Sequence, residues 1–418
     1  MKVLLLTTLY APDIGANARI MTELAEDFTS AGHAVTVVTT HPHYTAGSAT
    51  APGRQERYRI EDQDGVRIVR VATYLPKRRT LPARALSFLS FMRAAPRAVR
   101  RLDLRADLIV AICPPLTTGF AAWKAGRRCR APYIFCIQDL YPETAIELGY
   151  IKNPLLVRAA RLFADFVHGR AARLAVISEG FREALASRGI PRERIGLLPN
   201  WVDTERFRPG LQARERLRRE LRLDGAFVVL FAGTMGLAQG VEMVAPQAAE
   251  ILQGEPAIAF AFLGGGLKRE EIEAACARRG VADRVRFVPP QAHERMPDYL
   301  SIADAFLVHL HDIPLYRVTI PSKTYEYLAM GRPILMGVQG EAAALIERAG
   351  AGIPFTPESP GALADAALRL YRDRGTGAAM GRRGRVFASE HFSRRAVTGA
   401  FIREAESLVG RSRGEDRA

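Results

Sequence analysis

Cysteine is scarce in this chain, with four in 418 residues, and none of Cys113, Cys129, Cys136 and Cys276 has C-x-x-C spacing. That pattern argues against a zinc ribbon or a disulfide framework; the thiols read as reduced core residues, which suits a cytoplasmic protein. No apolar run is long enough to span a bilayer. The most apolar stretch, Leu108 to Trp123, is broken by Pro114-Pro115 and Thr117-Thr118 and falls short of the roughly 20 residues a spanning helix needs. The short apolar start, Met1 to Tyr10, carries one lysine and reads as a first strand, not as the core of an export signal. Acid is under-represented: 44 Asp and Glu stand against 59 Lys and Arg, a net charge of +15. The excess calls for an acidic partner, anionic lipid or a phosphorylated small molecule; no recognised motif favours nucleic acid. Acids at metal-binding spacing are lacking too. Asp62-Gln63-Asp64 runs into Gly65 and a strand, Val66 to Val71, and reads as a hairpin turn, while His41-Pro42-His43-Tyr44 has no third ligand nearby. No metal site is expected.

Hydrophobic residues make up 48% of the chain, enough for two ordinary domains with sizeable cores. A strand from Val3 to Thr7, a loop PDIGANAR, a helix from about Ala18 to Ala31 and a strand from Ala34 to Thr39 form a βαβ opening. Gly15 then sits at the carboxyl end of a strand, where ligands gather in open parallel sheets and a small residue lets them approach the backbone. His43 and Tyr44, after the second strand, can line an acceptor cleft at that edge. Buried strands at Leu108 to Cys113 and Tyr133 to Ile137 follow, the second ending in Gln138-Asp139-Leu140-Tyr141-Pro142-Glu143. Two acids there are placed for sugar hydroxyls; the plainer reading of Asp139 is a helix N-cap. The alternation restarts at Phe227 to Ala232, with Gly233-Thr234-Met235-Gly236 and Gly264-Gly265-Gly266 after successive strands. Short apolar strands separated by helices make parallel sheets the economical reading.

The densest chemistry lies in Tyr316 to Pro333, YRVTIPSKTYEYLAMGRP. Pro321 and Ser322 can start a helix, Ser322 offering an oxygen to free backbone N–H groups. Unpaired amides with Lys323 beside them can hold an anion, and Glu326, a turn further on, reaches sugar hydroxyls. That is how a nucleotide-sugar diphosphate and ribose could be held.

This stretch resembles the second half of the E-x7-E donor-binding motif of the family 4 glycosyltransferases, which have the GT-B fold. Glu326 matches its ribose-binding glutamate, and the first glutamate falls at Val318. The resemblance covers nearly the whole chain: Gly15-Ala16 stands where the family has two glycines, QDLYPE (138–143) is similar to HDLWPE, and PNWVDTERFRP (199–209) resembles the segment that crosses between lobes. In GTMGLAQG, Thr234 and Gln239 take the places of an arginine and a lysine that hold the donor diphosphate. Lys323 and Arg317, with Arg19 reaching from the other lobe, are the candidates to restore that charge.

The resemblance implies an α/β protein of two Rossmann-like parallel-sheet lobes facing a central cleft. An acceptor lobe would span 1–203, joined by a C-terminal helix at about 393–418, and a nucleotide-sugar lobe 204–392. It implies retaining, metal-independent transfer from a nucleotide-diphosphate sugar, UDP-linked, to a polyprenyl-diphosphate-linked saccharide, with no cofactor. Within the family, QDLYPE, GLAQG and PSKTYEYLA look most like bacterial transferases that build capsule, O-antigen or colanic-acid-type polysaccharide, some moving N-acetyl-L-fucosamine or fucose. Implied for catalysis are Asp139, Lys323 and Arg317, Gln138 being unable to act as a base. Implied for the donor are Gly15, Arg19, Gly233, Thr234, Gln239, Gly264, Gly266, Ser322, Lys323, Thr324 and Glu326, and for the acceptor Asn17, His43, Tyr44 and Glu143. Two rival readings share the fold: a sugar-nucleotide 2-epimerase, and a sugar-nucleotide-binding protein without turnover, which Val318, Thr234 and Gln239 favour.

The stretch from Pro76 to Arg105 is a basic, amphipathic segment. Leu81, Ala85, Phe88, Met92, Ala95, Val99 and Leu102 can form one seam, leaving Leu86, Leu89 and Phe91 off it, among Lys77, Arg78, Arg79 and six further arginines. Pro96 predicts a bent or broken pair of helices. The expected partner is an anionic membrane, which places the chain peripherally on the inner face of the cytoplasmic membrane.

Overall fold

Strand pairing sorts the chain into two separate sheets, one of eight strands and one of six. The structure is a computed structural model and describes residues 1–43, 55–76, 80–147, 149–210 and 212–415. Tyr44, Lys77, Arg78 and Arg79, and the side chain of Leu81, lie outside the described residues. Contacts divide the chain into one unit of Met1–Pro199 with Thr398–Ala418 and a second of Asn200–Val397. The joint falls at Asn200 because Val202 is tied to its own unit: its N–H donates to Phe392 O at 2.9 Å, and its carbonyl accepts from Arg394 N at 2.9 Å.

In the first unit the strands are β1 Lys2–Leu6, β2 Ala34–Thr40, β3 Tyr58–Gln63, β4 Val66–Val71, β5 Leu108–Cys113, β6 Tyr133–Ile137, β7 Arg173–Val176 and β8 Ile195–Leu197. Their order is β3-β4-β2-β1-β5-β6-β7-β8, parallel except where β3 runs against β4. That hairpin turns at Asp64 and Gly65, with φ of 51° and 80°, the left-handed pair a two-residue turn requires; Asp62 and Gln63 are the end of β3, and Asp64 opens the turn. All six residues of β5 are buried, as a strand covered on both faces must be. From Thr398 onward the helix Arg394–Glu415 belongs here, where the Phe401 ring meets Phe28 edge-on at 6.2 Å.

The helix Leu81–Arg101 runs unbroken with Pro96 inside it, which corrects the expectation of a pair broken there. Phe91, Ala95, Ala98 and Val99 are all buried, and burying that face outweighs the roughly 3 kcal/mol that an interior proline costs. Phe91 is thus core, not an exposed residue off the seam; Leu86 and Leu89 do remain exposed, at 50% and 38%. No helix among the described residues is long and apolar enough to cross a membrane.

In the second unit β9 Phe227–Ala232, β10 Ile258–Leu263, β11 Val285–Val288, β12 Ala305–His309, β13 Ile334–Gly337 and β14 Gly352–Pro354 lie in the order β11-β10-β9-β12-β13-β14. All neighbours are parallel. The helices Val241–Ile251 and Pro360–Arg372 bury Val244, Ala248, Leu363 and Leu370 in one core with the strand residues Phe227, Val229, Phe231 and Phe260.

Both sheets reverse their strand order once, between β1 and β5 in the first unit and between β9 and β12 in the second. A crevice opens at the carboxyl ends of the strands at such a point, and ligands of open parallel sheets bind there.

Candidate functional site

In the second unit, the loops that follow β9 and β10 cross backbone to backbone. Gly233 N–H donates to Leu263 O at 2.8 Å, Met235 N–H to Gly265 O at 2.8 Å and Lys268 N–H to Met235 O at 2.9 Å. A Cβ on Gly264 would lie 2.1 Å from Gly233 O, and one on Gly266 2.2 Å from Met235 O. These two glycines are therefore required by the crossing itself, whatever else they touch.

Lys323 opens the helix Lys323–Ala329 beside this crossing. Its Nζ lies 3.6 Å from the centre of the Phe231 ring and 3.1 Å from where a Cβ of Gly233 would be. Burial pulls its pKa down to about 7, against the opposing pull of Glu326. Its place at a helix start predicts a surface lysine with little packing role; it is half-buried instead, because the helix is drawn onto β9. Tyr327 Oη accepts from Ala232 N–H at 2.8 Å and donates to Ala232 O at 3.1 Å, and its ring stacks on Phe306 at 4.0 Å. Ser322 does not cap the helix: its backbone is already helical, with φ −57° and ψ −31°, and its side chain accepts no cap hydrogen bond. Thr324 is fully buried.

Gln239 holds its own loop, its Oε1 accepting from Gly236 N–H at 3.0 Å, while Thr234 is exposed. A residue that the motif reading passed over, His309 at the end of β12, fastens this loop across the β9/β12 crevice. Its Nδ1 lies 2.6 Å from Gln239 O and its Nε2 accepts from Glu358 N–H at 2.9 Å. Those partners require the neutral imidazole with the proton on Nδ1, and burial lowers its pKa in the same sense. The signal available in the sequence was a histidine at a strand's carboxyl end. Arg317 is exposed and paired with Asp312 at 3.1 Å, so its charge is partly met within its own segment.

In the first unit, Asn17 Nδ2 donates to Pro114 O at 3.1 Å, joining the loops after β1 and β5 across their crevice. Gly15 has φ +120° and nothing within 4 Å of its missing side chain. Arg19 pairs with Glu23 at 3.5 Å. His43 is fixed through its N–H to Asp13 Oδ1 at 2.8 Å, with its ring Nδ1 3.2 Å from Thr40 Oγ1. Asp139 follows β6, and burial raises its carboxyl pKa to about 7. It is not an N-cap, since the next helix begins at Glu143. Glu143 Oε1 is taken up by Arg188 at 2.7 Å and Arg161 at 3.5 Å, in a cluster with Asp165.

A family model described as "Glycosyl transferase 4-like domain" matches residues 15–201, and one described as "Glycosyl transferases group 1" matches 226–373. WcaI of Escherichia coli, whose name assigns it to glycosyl transfer in colanic acid biosynthesis, is 26% identical over 338 residues, 79% of this chain and 82% of its own length. Among solved structures, sucrose-phosphate synthase of Thermosynechococcus elongatus has a TM-score of 0.77 at 19% identity, covering 98% of this chain and 99% of that one. HepE of Anabaena, in complex with UDP and glucose, has a TM-score of 0.74 at 18% identity, covering 97% and 100%. With a glycosyl transferase domain matched on each of two parallel-sheet units, the chain belongs to the family 4 glycosyltransferases of the GT-B fold and is a hexosyltransferase.

Proposed function

We propose that this chain moves a hexosyl unit from a UDP-linked sugar to a polyprenyl-diphosphate-linked saccharide in the assembly of a cell-surface polysaccharide, with retention of configuration and without a metal ion. An N-acetylated deoxy sugar such as N-acetyl-L-fucosamine is the donor sugar we put first. The carrying observation is Lys323, a half-buried cation over the Phe231 ring and beside Gly233 at the carboxyl end of β9. A diphosphate there restores the solvation that burial removes, and Glu326 follows within one helical turn for the ribose. The likeness to WcaI supports polysaccharide assembly, and the UDP in HepE supports a uridine donor.

In the reaction the bond from the sugar's C1 to the diphosphate oxygen breaks, and an acceptor hydroxyl bonds to C1 on the same face. The hydroxyl proton passes to the departing diphosphate. Lys323 stabilises the charge that builds on that leaving group, which acts on the transition state more than on the bound donor. Asp139, when ionised, orients the acceptor hydroxyl by accepting its hydrogen bond.

The test incubates the full chain with a panel of UDP- and GDP-sugars and bacterial lipid extract, with chelator present, and reads nucleoside diphosphate release and the mass of the lipid product. The expected result is one donor whose release depends on lipid extract. An epimerised donor formed without acceptor, or no release from any donor, overturns the reading.

A further inference from the structure

A groove of about 520 Å³ runs along the exposed flank of the helix Leu81–Arg101, between that helix and the chain that leaves β4, wholly within the first unit. The volume falls within the ordinary range of ligand pockets. Its lining combines Arg93 and Arg97 with Leu86, Tyr74, Thr73 and Gln55.

The backbone of the groove floor is already engaged. Gln55 exchanges two hydrogen bonds with Thr73, its Nε2 donating to Thr73 O at 3.0 Å and its Oε1 accepting from Thr73 N–H at 2.9 Å. Tyr74 N–H donates to Ser90 Oγ at 3.0 Å, and Ser90 Oγ donates to Ser87 O at 2.7 Å. What the groove still offers is positive charge and apolar surface. Arg93 and Arg97 are exposed and make no ion pair among the described residues. Four positions apart on one helix, they are neighbours whose like charges repel until an anion lies between them. Leu86 and Tyr74 are 50% and 45% exposed, and a free phosphate needs neither.

We propose that this groove binds a diphosphate carried on an isoprenoid chain, the arginine pair taking the diphosphate and Leu86 and Tyr74 the first isoprene units. The proposal rests on the transferase reading above for its biological role, and it gives the acceptor a place. Residues 72–74 follow β4, two strands from β1 in the order β4-β2-β1. That end of the groove therefore lies on the same sheet edge as the β1/β5 crevice, about 10 Å or two strand spacings from the carboxyl end of β1.

Farnesyl diphosphate is the probe, titrated into the full chain by calorimetry, with farnesol, inorganic diphosphate and phosphatidylglycerol vesicles as separate arms. Wild type is expected to bind farnesyl diphosphate at least tenfold more tightly than farnesol or inorganic diphosphate. Arg93→Gln with Arg97→Gln should weaken it by one to two powers of ten, and Lys124→Gln with Arg127→Gln, an equal charge change on the helix Thr117–Cys129, should not. Leu86→Ser, at an exposed position that folding does not need, should weaken farnesyl diphosphate and leave inorganic diphosphate unchanged. Equal weakening by both double variants, inorganic diphosphate binding as tightly as farnesyl diphosphate, or a change confined to the vesicles overturns the groove. Nucleoside diphosphate release is measured on the same samples. Donor use without farnesyl diphosphate binding removes the groove alone, and farnesyl diphosphate binding without donor use removes the transferase reading alone.

Discussion

The ammonium of Lys323 sits 3.6 Å above the centre of the Phe231 ring, so the cation expected to meet the donor is half-buried over an aromatic face. Burial lowers its pKa to about 7. The unfolded lysine keeps its proton to about 10.4, so between those values the unfolded state binds the extra proton and stability rises with pH. Lys323→Met should therefore raise the melting temperature at pH 7 or leave it unchanged. Its donor kcat/KM should fall by one to two powers of ten, the loss of a charge-assisted contact of about 1.5 to 3 kcal/mol. A variant that loses stability and keeps donor kinetics would make Lys323 a packing residue only.

The same titration sets a pH dependence of donor use. Only the protonated amine neutralises a diphosphate, so donor KM for wild type should rise about tenfold for each pH unit above 7, until the donor's own effect on the lysine limits it. KM measured from pH 6 to 9 checks this, and the slope should vanish in Lys323→Met. A flat wild-type profile removes the lysine from the donor site.

Asp139 gives the opposite sign. Its carboxyl pKa is raised to about 7 by burial, against about 3.9 when unfolded. Between those values the folded state holds the extra proton, so stability falls as pH rises toward 7. Asp139→Asn should raise the melting temperature at pH 8, and the gain should disappear at pH 4. The same change should lower kcat by at least tenfold if the ionised carboxylate orients the acceptor hydroxyl. A stability gain with unchanged kcat would leave Asp139 as a buried acid without a part in the reaction.

Two glycines that look alike as loop residues should respond differently. A Cβ on Gly264 would lie 2.1 Å from Gly233 O at φ +135°, whereas Gly15, at φ +120°, has nothing within 4 Å. Gly264→Ala should cost about 3 kcal/mol or more, from strain and backbone displacement together, and Gly15→Ala about 1 to 2 kcal/mol from strain alone. Urea denaturation of the two variants separates them, and equal losses would contradict the crossing of the loops.

Much of the architecture was legible because buried parallel strands are short apolar runs separated by helices, and the polar turn at Asp64-Gly65 carries its own signature. The glycines after β9 and β10 could be found for the same reason. Their cause could not, since the contact between Gly264 and Gly233 joins loops that are separate in sequence. The desolvation of Lys323 was hidden likewise: it depends on Phe231, and on Tyr327 fastening its helix to Ala232. Local rules misled at Pro96, where packing of Phe91, Ala95 and Val99 prevails, and at Ser322, whose helical backbone takes its side chain out of the capping position.

The helix Leu81–Arg101 also sets the test of membrane attachment. Its inner face is taken up by the core, so attachment would fall to the outer one, where Leu86 and Leu89 are 50% and 38% exposed and Arg100 and Arg101 are exposed in the last turn. Each basic residue close to an anionic leaflet contributes roughly 1 kcal/mol, and inserted leucines add to it. Leu89→Ser combined with Arg100→Glu and Arg101→Glu should reduce co-sedimentation with phosphatidylglycerol vesicles by more than about tenfold, and raised salt should release wild type. None of the three residues lines the arginine groove, so farnesyl diphosphate should bind the variant as it binds wild type. Equal sedimentation of the two proteins, or binding by wild type that salt does not weaken, would place the attachment surface elsewhere.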